Sequence, residues 1–93
     1  MSTSLMSSEV ECFVCGRDIG LHRHHVFEGV ARRSLSEVDG CWIWLCSRHH
    51  TGKPGVHRDK QLDIALKMEC QRRWELSYGT REDFIRRYTH SYL

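Results

Sequence analysis

Residues 45–57 read LCSRHHTGKPGVH: one cysteine, three histidines and two glycines gathered around the only proline of the chain. Thiolate and imidazole are the side chains that soft and borderline metals prefer, so Cys46, His49, His50 and His57 raise metal ligation as the first explanation. A chain of 93 residues buries little core, and domains of this size often lean on a metal or a partner subunit. How these thirteen residues are read therefore decides the fold.

Working outward, Cys46-x-x-His49 has a counterpart about thirty residues earlier, Cys12-x-x-Cys15 in the segment VECFVCG. A two-residue spacer lets the backbone fold back so that both side chains face one ion. Two such turns supply three thiolates and one imidazole, the donor set of a closed structural zinc site. The five cysteines are an odd number. In a reducing compartment that set is explained better by metal binding plus spare core thiols than by disulfides. Cys41 and Cys70 have no partner at ligand spacing and read as buried thiols.

The segment HRHHVF is strand-like, and CWIWLC after Gly40, rich in aromatic and branched residues, is the best strand in the chain. Between them EGVARRSLSEVDG reads as a loop with at most one helical turn. After the TGKPG loop, Leu62, Leu66, Cys70, Trp74 and Tyr78 recur at four-residue steps, which predicts an amphipathic helix with Asp59 as N-cap and Gly79 as stop. TRED, from Thr80, resembles a capping box and opens a last helix carrying Phe84, Ile85 and Tyr88, followed by an irregular THSYL. Trp42 and Trp44 share a strand face and read as core. The polar start MSTSLMSSEV, with neither a charged beginning nor an apolar core, reads as a frayed tail. No apolar run approaches the roughly 18 residues of a membrane span, and a cytoplasmic protein is expected. The net charge is only +2, yet 11 of the 14 basic residues are arginine, whose planar fork grips phosphate.

With Cys46 and His49 assigned to zinc, His24, His25, His50 and His57 remain. A His-His pair ending one strand, then a second strand, then a histidine directly after a zinc knuckle resembles the HNH endonuclease family. The chain is most similar to the small zinc-knuckle HNH proteins common in bacteriophage and prophage genomes, in which C-x-x-C, HHxF, a polar loop, a strand, LCxxHH and GVH follow in this order. The resemblance runs from about Cys12 to His57, and TREDFIRRY is similar to the helical tail of that group.

The resemblance implies an α+β fold: a small zinc-stapled ββα-metal (HNH, His-Me finger) domain with a C-terminal helical extension. A flexible tail over 1–9 would precede a single domain over 10–93, with the knuckle and ββα-metal core over about 10–75 and the helical tail over about 76–93. The implied activity is metal-dependent hydrolysis of phosphodiester bonds in DNA. By position, His25 matches the general base, and His24, His50 and His57 match the ligands of one catalytic divalent cation (Mg²⁺, Mn²⁺, Ni²⁺ or Zn²⁺), beside the structural Zn²⁺ on Cys12, Cys15, Cys46 and His49. The chemistry agrees. A phosphodiester needs a base to activate water and a cation to neutralise charge on its oxygens, and an imidazole with an ordinary pKa of about 6.5 serves as base near neutral pH. Neighbouring side chains on a strand point to opposite faces, so His24 and His25 do different jobs. Which of the two faces the metal is taken from the family.

Arg23, Arg32, Arg33, Arg48, Lys53 and Arg58 fall in or beside this region and are the candidates for clamping phosphates that flank the cut. The arginines of the helical tail, Arg72, Arg73, Arg86 and Arg87, read as a solvated face with scattered ion pairs. His22 reads as an extra ligand, a phosphate contact or an exposed residue, and His90 as solvated. The chain departs from the family in one respect. The middle asparagine of HNH is absent, Ala31 stands in its place, and Ser34, Ser36 or Asp39 would have to tie the loop instead. A binding module for nucleic acid or protein, with weak or no catalysis, is thus the second reading. A purely structural two-ion cluster, with Asp59 or His22 as extra ligand, is the third. A homodimer, or a host or phage protein partner, is compatible with the small size, and a phage-encoded protein in a bacterial host is what the resemblance implies.

Overall fold

The computed structural model describes residues 3–93. The fold is α+β. Strand β1 (Leu21–His25) pairs antiparallel with β2 (Trp42–Cys46), from Leu21 opposite Cys46 to His25 opposite Trp42. Helix α1 (Val30–Asp39) lies between them in sequence. A short α2 (Ser47–His50) follows β2 directly, and α3 (Lys60–Ser77) and α4 (Arg81–Tyr88) complete the chain. Among the described residues no helix is long and apolar enough to cross a membrane.

The segment expected to be a loop is thus a ten-residue helix. Its ends are set by backbone, not by capping side chains. Gly29, at φ 101°, starts it with no side-chain cap, and left-handed Gly40, at φ 80°, ends it by donating its N–H to Ser36 O. The residues it buries are Ser36 and Asp39, both polar, so no apolar period marks it.

Asp39 explains how α1 holds its place. Asp39 is 5 % exposed, and its carboxylate takes four hydrogen bonds. Trp74 Nε1 donates at 2.9 Å, Tyr88 Oη at 2.8 Å, and Arg87 makes a two-pronged contact at 2.6 and 2.8 Å. Burial of a charge is tolerated because it is paired and fully hydrogen-bonded. Arg87 is therefore part of an internal network, contrary to the solvated face expected of the tail arginines. Arg73 also reaches inward, donating to the carbonyls of Leu5 and Met6. Arg72 and Arg86 do make exposed pairs, with Glu69 and Asp83.

The core packs Cys41 and, from β2, Ile43 and Leu45 with Val26, Phe27, Leu66, Cys70, Trp74, Phe84 and Tyr88. Phe84 and Tyr88 have no exposure at all, so α4 belongs to the core and is not an appendage; the boundary expected near residue 75 falls inside α3. Asp59 caps α3 by accepting from Leu62 N, and Thr80 and Asp83 form the expected capping box. Ile85, expected on the apolar stripe, is partly exposed. The irregular tail is docked, with Gln71 accepting from Tyr92 N and the Tyr92 ring stacked on Phe27. The start of the chain differs from the frayed tail expected: Leu5 N donates to Gly40 O, Ser4 Oγ to Trp42 O, and Met6 is buried. Met6 supplies the apolar contact that anchors this otherwise polar stretch.

Candidate metal centre

The first centre is built where the end of β2 meets a turn near the start of the chain. Gly16 N donates to Cys12 O, folding Cys12 and Cys15 into one tight turn, and Phe13 N donates to Trp44 O, fastening that turn to β2. Cys46 is the last residue of β2, and α2 begins at the next residue and carries His49. Cys12, Cys15, Cys46 and His49 come together, with one ligand atom from each within 4.8 Å of all the others. The separations are those of a coordination tetrahedron. An ion about 2.3 Å from each sulfur has S···S edges of about 3.8 Å and slightly shorter S···N edges. Cys15 Sγ to Cys46 Sγ is 3.8 Å, Cys12 Sγ to His49 Nδ1 is 3.8 Å, and Cys46 Sγ to His49 Nδ1 is 3.4 Å. Burial opposes ionisation of Cys12, yet backbone hydrogen bonds involving Cys46, Cys15 and Val14 pull its thiol down to about 6. That favours the thiolate, the form that binds metal. These groups can hold a metal ion such as zinc. Cys41 and Cys70 lie apart from this set, fully buried, as expected.

The second centre joins β1, α2 and the loop after it. His24, His50 and His57 bring their ligand atoms within 4.8 Å of one another. The loop returns His57 to His50 because Val56 N donates to His49 O and His57 N to His50 O. Gly55 permits this: a Cβ there would sit 2.8 Å from Gly52 O and 2.9 Å from the His50 carbonyl. His50 Nε2 and His57 Nε2 face each other at 3.0 Å. His24 is 3 % exposed, and its Nε2 is buried with no hydrogen-bond partner among the described residues. Burial, reinforced by His50 and His57, pushes the His24 pKa down to about 3, and burial with His57 and His22 also lowers that of His50. Imidazoles whose ring nitrogens converge, one of them orphaned, are the donor set a divalent cation fits.

Among the described residues three donors converge here. Asp59 is occupied capping α3, and His22 contacts not the ligand cluster but the far side of His50, Nδ1 to Nδ1 at 3.0 Å. The neighbour His25 lies on the opposite strand face from His24 and places Nε2 3.0 Å from Glu37 Oε1. His24, His25, His50 and His57 nevertheless line one cavity of about 410 Å³, together with Arg23, Arg33 and Glu28.

Of the six basic residues expected to meet phosphate, only Arg23 and Arg33 line this cavity. Arg23 is already engaged by Glu37, and Arg32 reaches away to Thr89 Oγ1 on the C-terminal side of α4. Arg48, Lys53 and Arg58 are exposed but outside the cavity lining. Trp42 is buried, as expected, and Trp44 half-buried, but both pack outside the main core cluster, with the Arg23 guanidinium 3.8 Å from the Trp42 ring centre. Of Ser34, Ser36 and Asp39, Ser36 donates from Oγ to Phe27 O at 2.9 Å just beyond β1, and Asp39 accepts from Trp74, Arg87 and Tyr88. Glu28 and Glu37 were not among the expected site residues; no spacing rule marks a carboxylate whose partners come from a different element. Compared with models of protein families, with curated proteins and with solved structures, the chain has no match.

Proposed function

We propose that the chain is a metal-dependent endonuclease of the HNH type, hydrolysing phosphodiester bonds in DNA, with structural zinc on Cys12, Cys15, Cys46 and His49. One observation carries this reading: His24, His50 and His57 offer three converging donors, with no fourth protein ligand among the described residues, on the cavity that His25 also lines. A structural site is closed by four protein ligands, whereas a catalytic site keeps a position open. The bound cation would neutralise charge on the scissile phosphate. His25, with Nε2 turned to Glu37, has Nδ1 to receive a proton from water. The water oxygen bonds to phosphorus, the bond to the leaving sugar oxygen breaks, and that oxygen takes a proton from solvent. Arg33 is placed to meet a phosphate oxygen at the cavity. Ser36 serves the loop-tying purpose of the absent asparagine.

A second reading, a zinc-stabilised binding module without catalysis, is favoured by the internal engagement of Arg23 and Arg32, which leaves fewer free cations at the site than the sequence promised. The test is to strip and restore divalent ions and follow nicking of plasmid DNA by wild type beside His25→Ala. Ion-dependent nicking lost in the variant supports the nuclease. Folded, zinc-loaded wild type that fails to nick with every ion tried leaves the binding module.

A further inference from the structure

We propose that Glu37 is the positioning residue for His25, fixing its imidazole in the tautomer that carries the proton on Nε2 and leaves Nδ1 bare. This inference rests on the nuclease reading for its consequence, though not for its geometry. An ionised carboxylate only accepts hydrogen bonds, so Oε1 at 3.0 Å from His25 Nε2 requires the proton on that nitrogen. The neutral ring then has its lone pair on Nδ1, the arrangement a general base needs.

Glu37 is itself held. Its other oxygen, Oε2, accepts from Arg23 Nη1 at 2.8 Å, and the Arg23 guanidinium stacks over Trp42 at 3.8 Å with Trp44 at 5.1 Å. Trp42, Arg23, Glu37 and His25 therefore form one chain of contacts that crosses the sheet face and ends at the base. The backbone of α1 is pinned on both sides of Glu37: one residue before it Ser36 bonds Phe27 O, and two residues after it Asp39 binds Trp74, Arg87 and Tyr88. A helix so fixed delivers its carboxylate to a defined place, which a loop of the same length would not.

The competing explanation is a surface ion pair. Glu37 is 39 % exposed at its side chain, and such pairs contribute little to stability. The two explanations separate in what changes when the carboxylate goes. In the ion-loaded protein, long-range ¹H–¹⁵N NMR of the His25 ring is expected to show Nε2–H alone in wild type and a mixture of tautomers in Glu37→Ala. Glu37→Met, of similar length but with only a weak, uncharged acceptor, is expected to do the same should the alanine variant fold poorly. On DNA, kcat falls by about 10²-fold with KM unchanged, the scale of a misplaced catalytic group. An unaltered His25 tautomer in a folded variant overturns the proposal, as does nicking equal to an active wild type. If wild type does not nick, the nuclease reading fails while the tautomer measurement still decides the role of Glu37.

Discussion

His22 and His50 meet Nδ1 to Nδ1 at 3.0 Å, while the other ring nitrogen of His50 faces His57 Nε2. A ligating imidazole whose second nitrogen is hydrogen-bonded is held in one orientation and one tautomer. With a cation held at His50 Nε2, His22 would stand behind the ligand and not beside it. His22→Ala is expected to weaken cation binding at His24, His50 and His57 by about 10- to 100-fold, the usual cost of losing such a partner, and to leave zinc at the cysteine knuckles untouched. Competitive titration with a chromophoric chelator reads both sites. Unchanged affinity at the histidine site would remove His22 from this role.

At the knuckles the expected behaviour is different, because the ion's binding energy is part of the folding energy. Cys12→Ser or Cys46→Ser should unfold the domain or expel its zinc, and a chelator should melt wild type. Protons compete for the same thiolates and imidazole, so zinc is released as pH falls and retained as it rises. Thermal melts with metal analysis provide the check. A cysteine variant that melts cooperatively at the wild-type temperature with zinc still bound would contradict the assignment.

Gly55 makes a prediction about the loop that returns His57. Any side chain there drives a Cβ against the backbone of Gly52 and His50, neither of which can rotate away. Gly55→Ala should therefore displace His57 and lower cation affinity at the second centre while the knuckles keep their zinc. Isothermal titration with Mn²⁺ or Zn²⁺ decides it, and a wild-type isotherm would show that the loop has more room than these distances allow.

What was legible in the sequence was local or strictly spaced. The knuckles announce themselves because both turns use a two-residue spacer, α3 because Leu62, Leu66, Cys70 and Trp74 recur on one face, and α4 because Thr80 and Asp83 cap it. The segment α1 was not legible, since its inward residues Ser36 and Asp39 are polar and their partners lie elsewhere in the chain. Asp39 finds Trp74, Arg87 and Tyr88 at 35 to 49 residues distance, beyond the reach of any periodicity. The same holds for Glu37, whose role exists only once the helix has turned it toward His25 and Arg23.

That hidden part of the fold yields the last prediction. Asp39→Ala removes the acceptor of four hydrogen bonds at once and leaves the Trp74 N–H and the Tyr88 hydroxyl buried without it. Breaking a buried charged pair from one side costs about 3–5 kcal/mol, which for a domain of this size lowers Tm on the order of 12–40 °C. Arg86→Ala, which breaks only the exposed pair with Asp83, should shift stability by about 0.5 kcal/mol or less. Because α1 loses its anchor two residues from Glu37, Asp39→Ala should also blur the His25 tautomer below its melting point. Urea denaturation of the two variants side by side measures the first effect and NMR the second. Equal stabilities for Asp39→Ala and Arg86→Ala would mean that the buried carboxylate does not hold α1 in place, and the link from Asp39 through Glu37 to His25 would be lost with it.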